Sequence, residues 1–179
     1  MPLRIPIKIA ARIINSGGVV AYPTEGVFGF GCLPDDVNAV ARILSIKKRD
    51  PSKGLILIAA DQAQLAEWLA KGCELPAVES LPTTWVAPAS AAVPSWIRGR
   101  HAGVAVRITS HPIANALCKA ADSALVSTSA NTSGRPASRN PYVLRRQFHG
   151  LVDYVVPGRC GPVSGPTNIR DLITGKTLR

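Results

Sequence analysis

No apolar stretch in this chain outlasts a single β-strand. The longest dense run, Leu55–Ala60, has strand length, far short of the roughly 18 consecutive apolar residues of a membrane span. The apolar residues, 46% of the chain, are parcelled into short β-rich runs that alternate with segments of helical period. A chain patterned this way buries its apolar surface by laying helices on a sheet. The expected fold is α/β, a single domain over residues 1–179. Its sheet is expected to be open and twisted, with parallel and antiparallel strands mixed and helices flanking it.

Along the chain, Ile7, Ala10, Ala11 and Ile14 share a helical face that stops at Gly17-Gly18. Val19–Tyr22 reads as a strand and Thr24–Gly31 as a glycine-rich turn. Asp35 or Asp36 caps a second helix that ends in Lys47-Lys48-Arg49. Leu55–Ala59 is a buried strand, and Asp61 caps a third helix carrying Leu65, Trp68 and Leu69. Residues 72–82 read as a loop, and Thr83–Val86 and Val104–Ile108 as strands. Ser110 caps a helix that reaches Ala121, with Pro112 in its first turn. Ala124–Thr128 is a strand, followed by a polar turn over Ser129–Gly134. Asn140–Phe148 is helical and Val152–Val156 a strand. Gly161–Arg179 is turn-rich, with one or two short strands. No internal repeat or linker interrupts this order.

Charge narrows the partners. Lys and Arg number 21 against 11 acids, for a formal net charge of +10. Between Ser80 and Val152 the one acid is Asp122, while Arg98, Arg100, Arg107, Lys119, Arg135, Arg139, Arg145 and Arg146 all lie there. Such a face attracts nucleotides, RNA or anionic lipid. Cys32, Cys73, Cys118 and Cys160 are far apart, and the histidines lack metal-ligand spacing, so no zinc site is expected. Reduced thiols and no secretory segment point to a cytoplasmic protein, not one in a membrane.

Four segments can carry chemistry. In Tyr22-Pro23-Thr24-Glu25-Gly26-Val27-Phe28-Gly29-Phe30-Gly31, a strand enters a turn whose glycines allow backbone amides to approach a ligand. Lys47, Lys48, Arg49 and Lys53 crowd a helix end and the break at Asp50-Pro51. They either complement the helix dipole or converge on phosphate. Ser127-Thr128-Ser129-Ala130-Asn131-Thr132-Ser133-Gly134 leaves the C-terminal end of a strand, where open α/β sheets bind ligands. Its hydroxyls could equally cap their own backbone. Arg107 lies in an apolar alternating strand, where it needs a substrate carboxylate or a structural ion pair.

Together and in this order, these segments resemble the YrdC/TsaC family of threonylcarbamoyl-AMP synthases. Lys47-x-Arg49 and Ser129-x-Asn131 are the most diagnostic parts. The Tyr-Pro-Thr-Glu turn, the Val-Arg strand before Ser110-His111-Pro112 and the tail from Pro166 to Asp171 accompany them. The resemblance implies an α/β sheet with a positive concavity. It also implies a reaction of L-threonine, bicarbonate or carbon dioxide, and ATP that gives threonylcarbamoyl-AMP and pyrophosphate. A partner complex would then modify the adenosine beside a tRNA anticodon. Carried over residue by residue, Lys47 and Arg49 are catalytic. Lys47, Arg49, Lys53, Ser129, Asn131 and Ser138 bind ATP, and Thr24, Arg107, Ser127 and Thr167 bind threonine. Magnesium is expected to arrive with ATP, with no dedicated protein ligand cluster.

Three places depart from the family pattern. Ser80-Leu81-Pro82 stands where Pro-Gly-Pro is common, Thr167-Asn168 where Ser-Thr is usual, and Ile58 near where longer relatives carry a His. The competing class is a non-catalytic RNA-binding module that uses the same basic concavity. With three each of Phe, Trp and Tyr and no aromatic–basic interleaving, stacking platforms for bases are scarce. That favours a compact nucleotide site with at most weak RNA binding.

Overall fold

The computed structural model describes residues 3–77, 82–163, 165 and 167–178. Its strands form one open sheet. In chain order they are β1 (Val20–Pro23), β2 (Phe28–Gly31), β3 (Ile56–Ala59), β4 (Thr83–Pro88), β5 (Gly103–Ile108), β6 (Leu125–Ser129), β7 (Tyr154–Val155) and β8 (Asn168–Asp171). In space the order is β7-β1-β2-β6-β3-β5-β4-β8. Pairing is parallel for β1–β7, β3–β5 and β4–β8 and antiparallel elsewhere, so the sheet is mixed as expected. The helices are α1 (Arg4–Asn15), α2 (Val37–Lys47), α3 (Ser95–Arg98), α4 (Pro112–Ala121) and α5 (Pro141–Gln147).

The side-chain period of two along each strand separates two cores. Val20, Tyr22, Ile58 and Leu125 face α1 and α4, where Ala10, Ile14, Ala114 and Leu117 close over them. Ala21, Leu57 and Val126 face the other way, onto α2, Phe30 and Phe148. The α1–α4 pair does not cover its whole face. Ile56 pairs with Ser127 and Ile58 with Leu125, so Ile56, Ser127 and Ser129 continue the same face past the helices. The cavity lies on that bare extension.

Several elements differ from the sequence reading. The turn after β1 is only four residues, closed by Thr24 N–H to the Val27 carbonyl at 3.2 Å. Phe28–Gly31 is a strand paired with β1. Its Phe–Gly alternation is a strand period that the glycines disguised. Asp61 does accept from Gln64 N–H, at 3.2 Å. Yet the third helix is a single 3-10 turn, Ala63–Leu65, because Leu69 bridges to Ala89 and tertiary pairing overrides helix propensity. The cap of α4 is His111, whose Nδ1 accepts from Ala114 N–H at 3.4 Å, not the exposed Ser110. Pro112 holds the first helical position, so the residue before it is the cap. Helix α3 was not anticipated. Of the Pro-Gly-Pro departure, Ser80 and Leu81 lie outside the described residues, as does Pro166 in the tail motif.

Candidate active site

A cavity of about 610 Å³ opens on the uncovered sheet face. Thr24, Arg49, Arg107, Ser127, Ser129, Asn131 and Thr167, all anticipated from sequence, line it. Leu55, Ile56 and Val27 add an apolar wall, and Gly29 a flat stretch of floor. No acid appears among the described lining residues.

One end is built by the close of α2. Asp36 caps the start of the helix by accepting from Ala39 N–H at 2.9 Å. Lys48 ends it in the left-handed conformation, φ 49°, an uncommon backbone state for a residue with a side chain. That reversal sends Lys47 and Arg49 to different places. Arg49 reaches the cavity while its Nη2 donates to the Gly54 carbonyl at 2.9 Å. Lys47 goes beneath the cavity and is only 2% exposed. Its Nζ donates to the Asn131 carbonyl and to Asn131 Oδ1, both at 2.9 Å, and to the Ser129 carbonyl. Ser129 Oγ donates to Asn131 Oδ1 at 2.7 Å. Phe30 places its ring face toward the ammonium, 5.9 Å from the centroid. Lys47, expected from the resemblance among the ATP-binding residues, is therefore not part of the cavity lining. The amine holds the Ser129–Asn131 turn from behind, because the three donors of an ammonium match the carbonyls of a turn that has left its strand. Burial, and next the nearby Arg49 cation, pull its pKa down to about 8.

The other end is centred on Arg107 of β5. Its Nη1 donates to Thr167 Oγ1 at 2.8 Å and to Thr84 Oγ1 at 3.3 Å. Its Nη2 lies 3.3 Å from Glu25 Oε2. Thr109 Oγ1 donates to Glu25 Oε1 at 2.6 Å. Burial alone would raise the Glu25 pKa, but the Arg107 cation and the Thr109 hydroxyl outweigh it and hold the carboxyl below its ordinary range. The ion-pair reading of Arg107 holds, and the side chain also lines the cavity. Thr24 Oγ1 donates to the Val27 carbonyl at 2.7 Å. The buried Tyr22 hydroxyl donates to the Val126 carbonyl at 3.4 Å.

The structure does not bring every anticipated residue together. Lys53 is exposed in the turn Pro51–Lys53 and is not part of the cavity lining. Ser138 lies outside the lining, with its Oγ accepting from Asn140 N–H at 3.0 Å and its carbonyl accepting from Phe28 N–H. Ile58 is fully buried against α4, so the third strand offers no polar contact there. Conversely, Thr84, Glu25 and Arg139 were not singled out as site residues. Thr84 and Arg139 gave no local motif, and Glu25 was legible only as part of its turn. Among the described residues no cluster of His, Cys, Asp or Glu fits a metal ion. Among the described residues no helix is long and apolar enough to cross a membrane, and the four cysteines are free thiols.

The family model for Sua5, YciO and YrdC proteins, described as "Telomere recombination", matches residues 12–179. Threonylcarbamoyl-AMP synthase of Nitrosococcus oceani is 49% identical over 97% of this chain and 96% of its own length. The protein of that name from Halorhodospira halophila is also 49% identical, over 97% of this chain and 93% of its own. Among solved structures, P. abyssi Sua5 complexed with L-threonine superposes with a TM-score of 0.87 at 32% identity, covering 97% of this chain. The chain spans 53% of that Sua5 chain. E. coli YciO superposes with a TM-score of 0.80 at 25% identity, over 97% of this chain and 87% of its own.

Proposed function

The chain belongs to the Sua5/YciO/YrdC family, and from that premise we propose that it is an enzyme that makes threonylcarbamoyl-AMP. The observation that carries this reading is the near-complete, 49% identical match to threonylcarbamoyl-AMP synthases, joined to a cavity with two chemically distinct ends. The substrates are L-threonine, bicarbonate or carbon dioxide, and ATP.

The threonine amine adds carbon dioxide and gives up a proton to water, forming an N-carboxylate. A carboxylate oxygen bonds to the α-phosphorus of ATP as the bond to pyrophosphate breaks. Such a transfer depends on positioning and charge neutralisation rather than on a protein nucleophile. Arg49 meets the phosphates, with hydrogen bonds from Ser129 and Asn131, and Lys47 adds positive potential from below while fixing that turn. Arg107, Thr167, Thr24 and Ser127 hold threonine, with Arg107 spanning its carboxylate and the buried Glu25. Lys53 and Ser138 reach the nucleotide only if their loops move toward it. Magnesium travels on the ATP phosphates. Glu25 is already engaged by Arg107 and Thr109, so ATP and water would supply most of the ion's oxygen ligands. The product passes to tRNA-modifying partner proteins in the cytoplasm.

The deciding experiment is pyrophosphate release by the purified protein, with and without L-threonine and bicarbonate. Release that requires both is expected. No release, together with tight salt-sensitive RNA binding, would overturn the enzyme reading in favour of an RNA-binding module.

A further inference from the structure

Arg139 lines the cavity, yet its guanidinium is spent on main-chain carbonyls. Nη1 donates to the Gly26 carbonyl at 2.7 Å and to the Val163 carbonyl at 2.8 Å. Nη2 donates to the Gly161 carbonyl at 2.6 Å. One fork thus ties the loop after β6 to the turn after β1 and to the segment that leads into β8. Those two segments already touch backbone to backbone: Gly161 N–H donates to the Thr24 carbonyl at 2.9 Å and Val163 N–H to the Glu25 carbonyl at 3.2 Å. The approach is so close that a Cβ on Gly161 would lie 2.8 Å from the Glu25 carbonyl oxygen. One on Gly26 would lie 2.3 Å from that of Gly165.

The clasp controls a spacing. Thr24 stands at one edge of the cavity and Thr167, on Arg107, at another. Both belong to the segments that Arg139 joins, and neither lies in a strand. Charge-assisted bonds from a planar fork hold geometry better than neutral ones. A point charge on a flexible stem would reproduce only part of it.

We infer that Arg139 is a positioning residue that sets the distance between Thr24 and Thr167 and so the fit of the amino-acid substrate, a statement that rests on the function proposed above. None of the clasp's hydrogen bonds reaches the Ser129–Asn131 turn above Lys47, so its loss is expected to act first on the other end of the cavity.

The test compares the wild-type protein with Arg139→Ala and Arg139→Lys, all passing a thermal-melt check for folding. The KM for L-threonine is expected to rise about tenfold in Arg139→Ala and less in Arg139→Lys, with the KM for ATP changed less than about threefold. Trypsin cleavage after Arg159 is expected to speed up in the same order. An equal rise in both KM values, a rise in the ATP value alone, or no change in cleavage rate overturns the inference. If the wild-type protein releases no pyrophosphate, L-threonine binding by calorimetry replaces KM. Weakened threonine binding in Arg139→Ala then supports the clasp while the proposed reaction fails, and undiminished binding overturns the clasp.

Discussion

The two ends of the cavity solve one problem in opposite ways. Each places a cation against the sheet at the cavity, and each must compensate it for lost water. At the Lys47 end, the compensation is neutral: carbonyl oxygens of Ser129 and Asn131 and the Asn131 amide oxygen. At the Arg107 end, it is an anion, Glu25, 5% exposed and steadied by Thr109. The first end keeps its positive potential, whereas the second is balanced. A polyanion such as a triphosphate belongs at the unbalanced end. A zwitterionic amino acid, which brings no net charge, belongs where the protein has cancelled its own.

The sharpest way to break this contrast is to remove the buried amine. Lys47→Met keeps much of the volume but strands the oxygens of the Ser129–Asn131 turn, at about 1–3 kcal/mol for each unsatisfied group. A loss of about 3 kcal/mol in urea unfolding is expected, with pyrophosphate release down at least about 100-fold. Unchanged stability would mean that the amine serves only the ligand and that the neutral compensation is incidental.

Arg107→Ala probes the other end. Its KM for L-threonine is expected to rise about 100-fold, the scale of a lost charge-assisted carboxylate contact, with the KM for ATP within about threefold. Equal effects on both substrates would erase the division between the ends.

The ion pair itself is separable by a cycle. Arg107→Met alone leaves Glu25 buried without its cation and should cost about 3 kcal/mol of stability. Adding Glu25→Gln should recover at least about 1 kcal/mol, because the stranded charge is then gone. A double variant no more stable than Arg107→Met would show that Glu25 is not the compensating group.

The sequence carried the anion end more fully than the balanced one, for a physical reason. Lys47, Arg49, Ser129 and Asn131 lie in compact local motifs at a helix end and a strand end, so spacing marked them as candidates and the family resemblance gave them roles. What spacing could not show was that Lys48 turns left-handed and sends Lys47 under the floor rather than into the opening. The balanced end is assembled from four distant segments. Thr84 sits in an ordinary strand and only β4–β5 pairing sets it beside Arg107; Glu25 sits in a turn, and Arg139 lies in a polar loop tied to the Gly26, Gly161 and Val163 carbonyls. The mixed sheet followed from alternation of short apolar runs. The strand Phe28–Gly31 did not, since its glycines mimic a turn, and one of them, Gly29, serves as floor.

A smaller effect separates the two ends by pH. The Lys47 ammonium, at about 8 in the folded protein, sits below the 10.5 usual for lysine. Between those values the unfolded chain binds more protons than the folded one, so the Lys47 contribution to stability rises with pH across that window. Below about pH 8 the full cost of burying the charge is present. Ligand binding should move the other way. Above pH 8 the neutral amine has one donor fewer for the Ser129–Asn131 turn and adds no positive potential, so ATP binding should weaken a few-fold between pH 7 and 9. Threonine binding should show no matching loss over pH 7 to 8, where Glu25, held below its ordinary range, stays ionised. Calorimetric titration of each ligand at pH 7, 8 and 9 measures both, with Lys47→Met as the pH-insensitive control for ATP. If ATP affinity is flat in the wild-type protein, or falls equally in Lys47→Met, the buried amine is not what distinguishes the anion end from the balanced one.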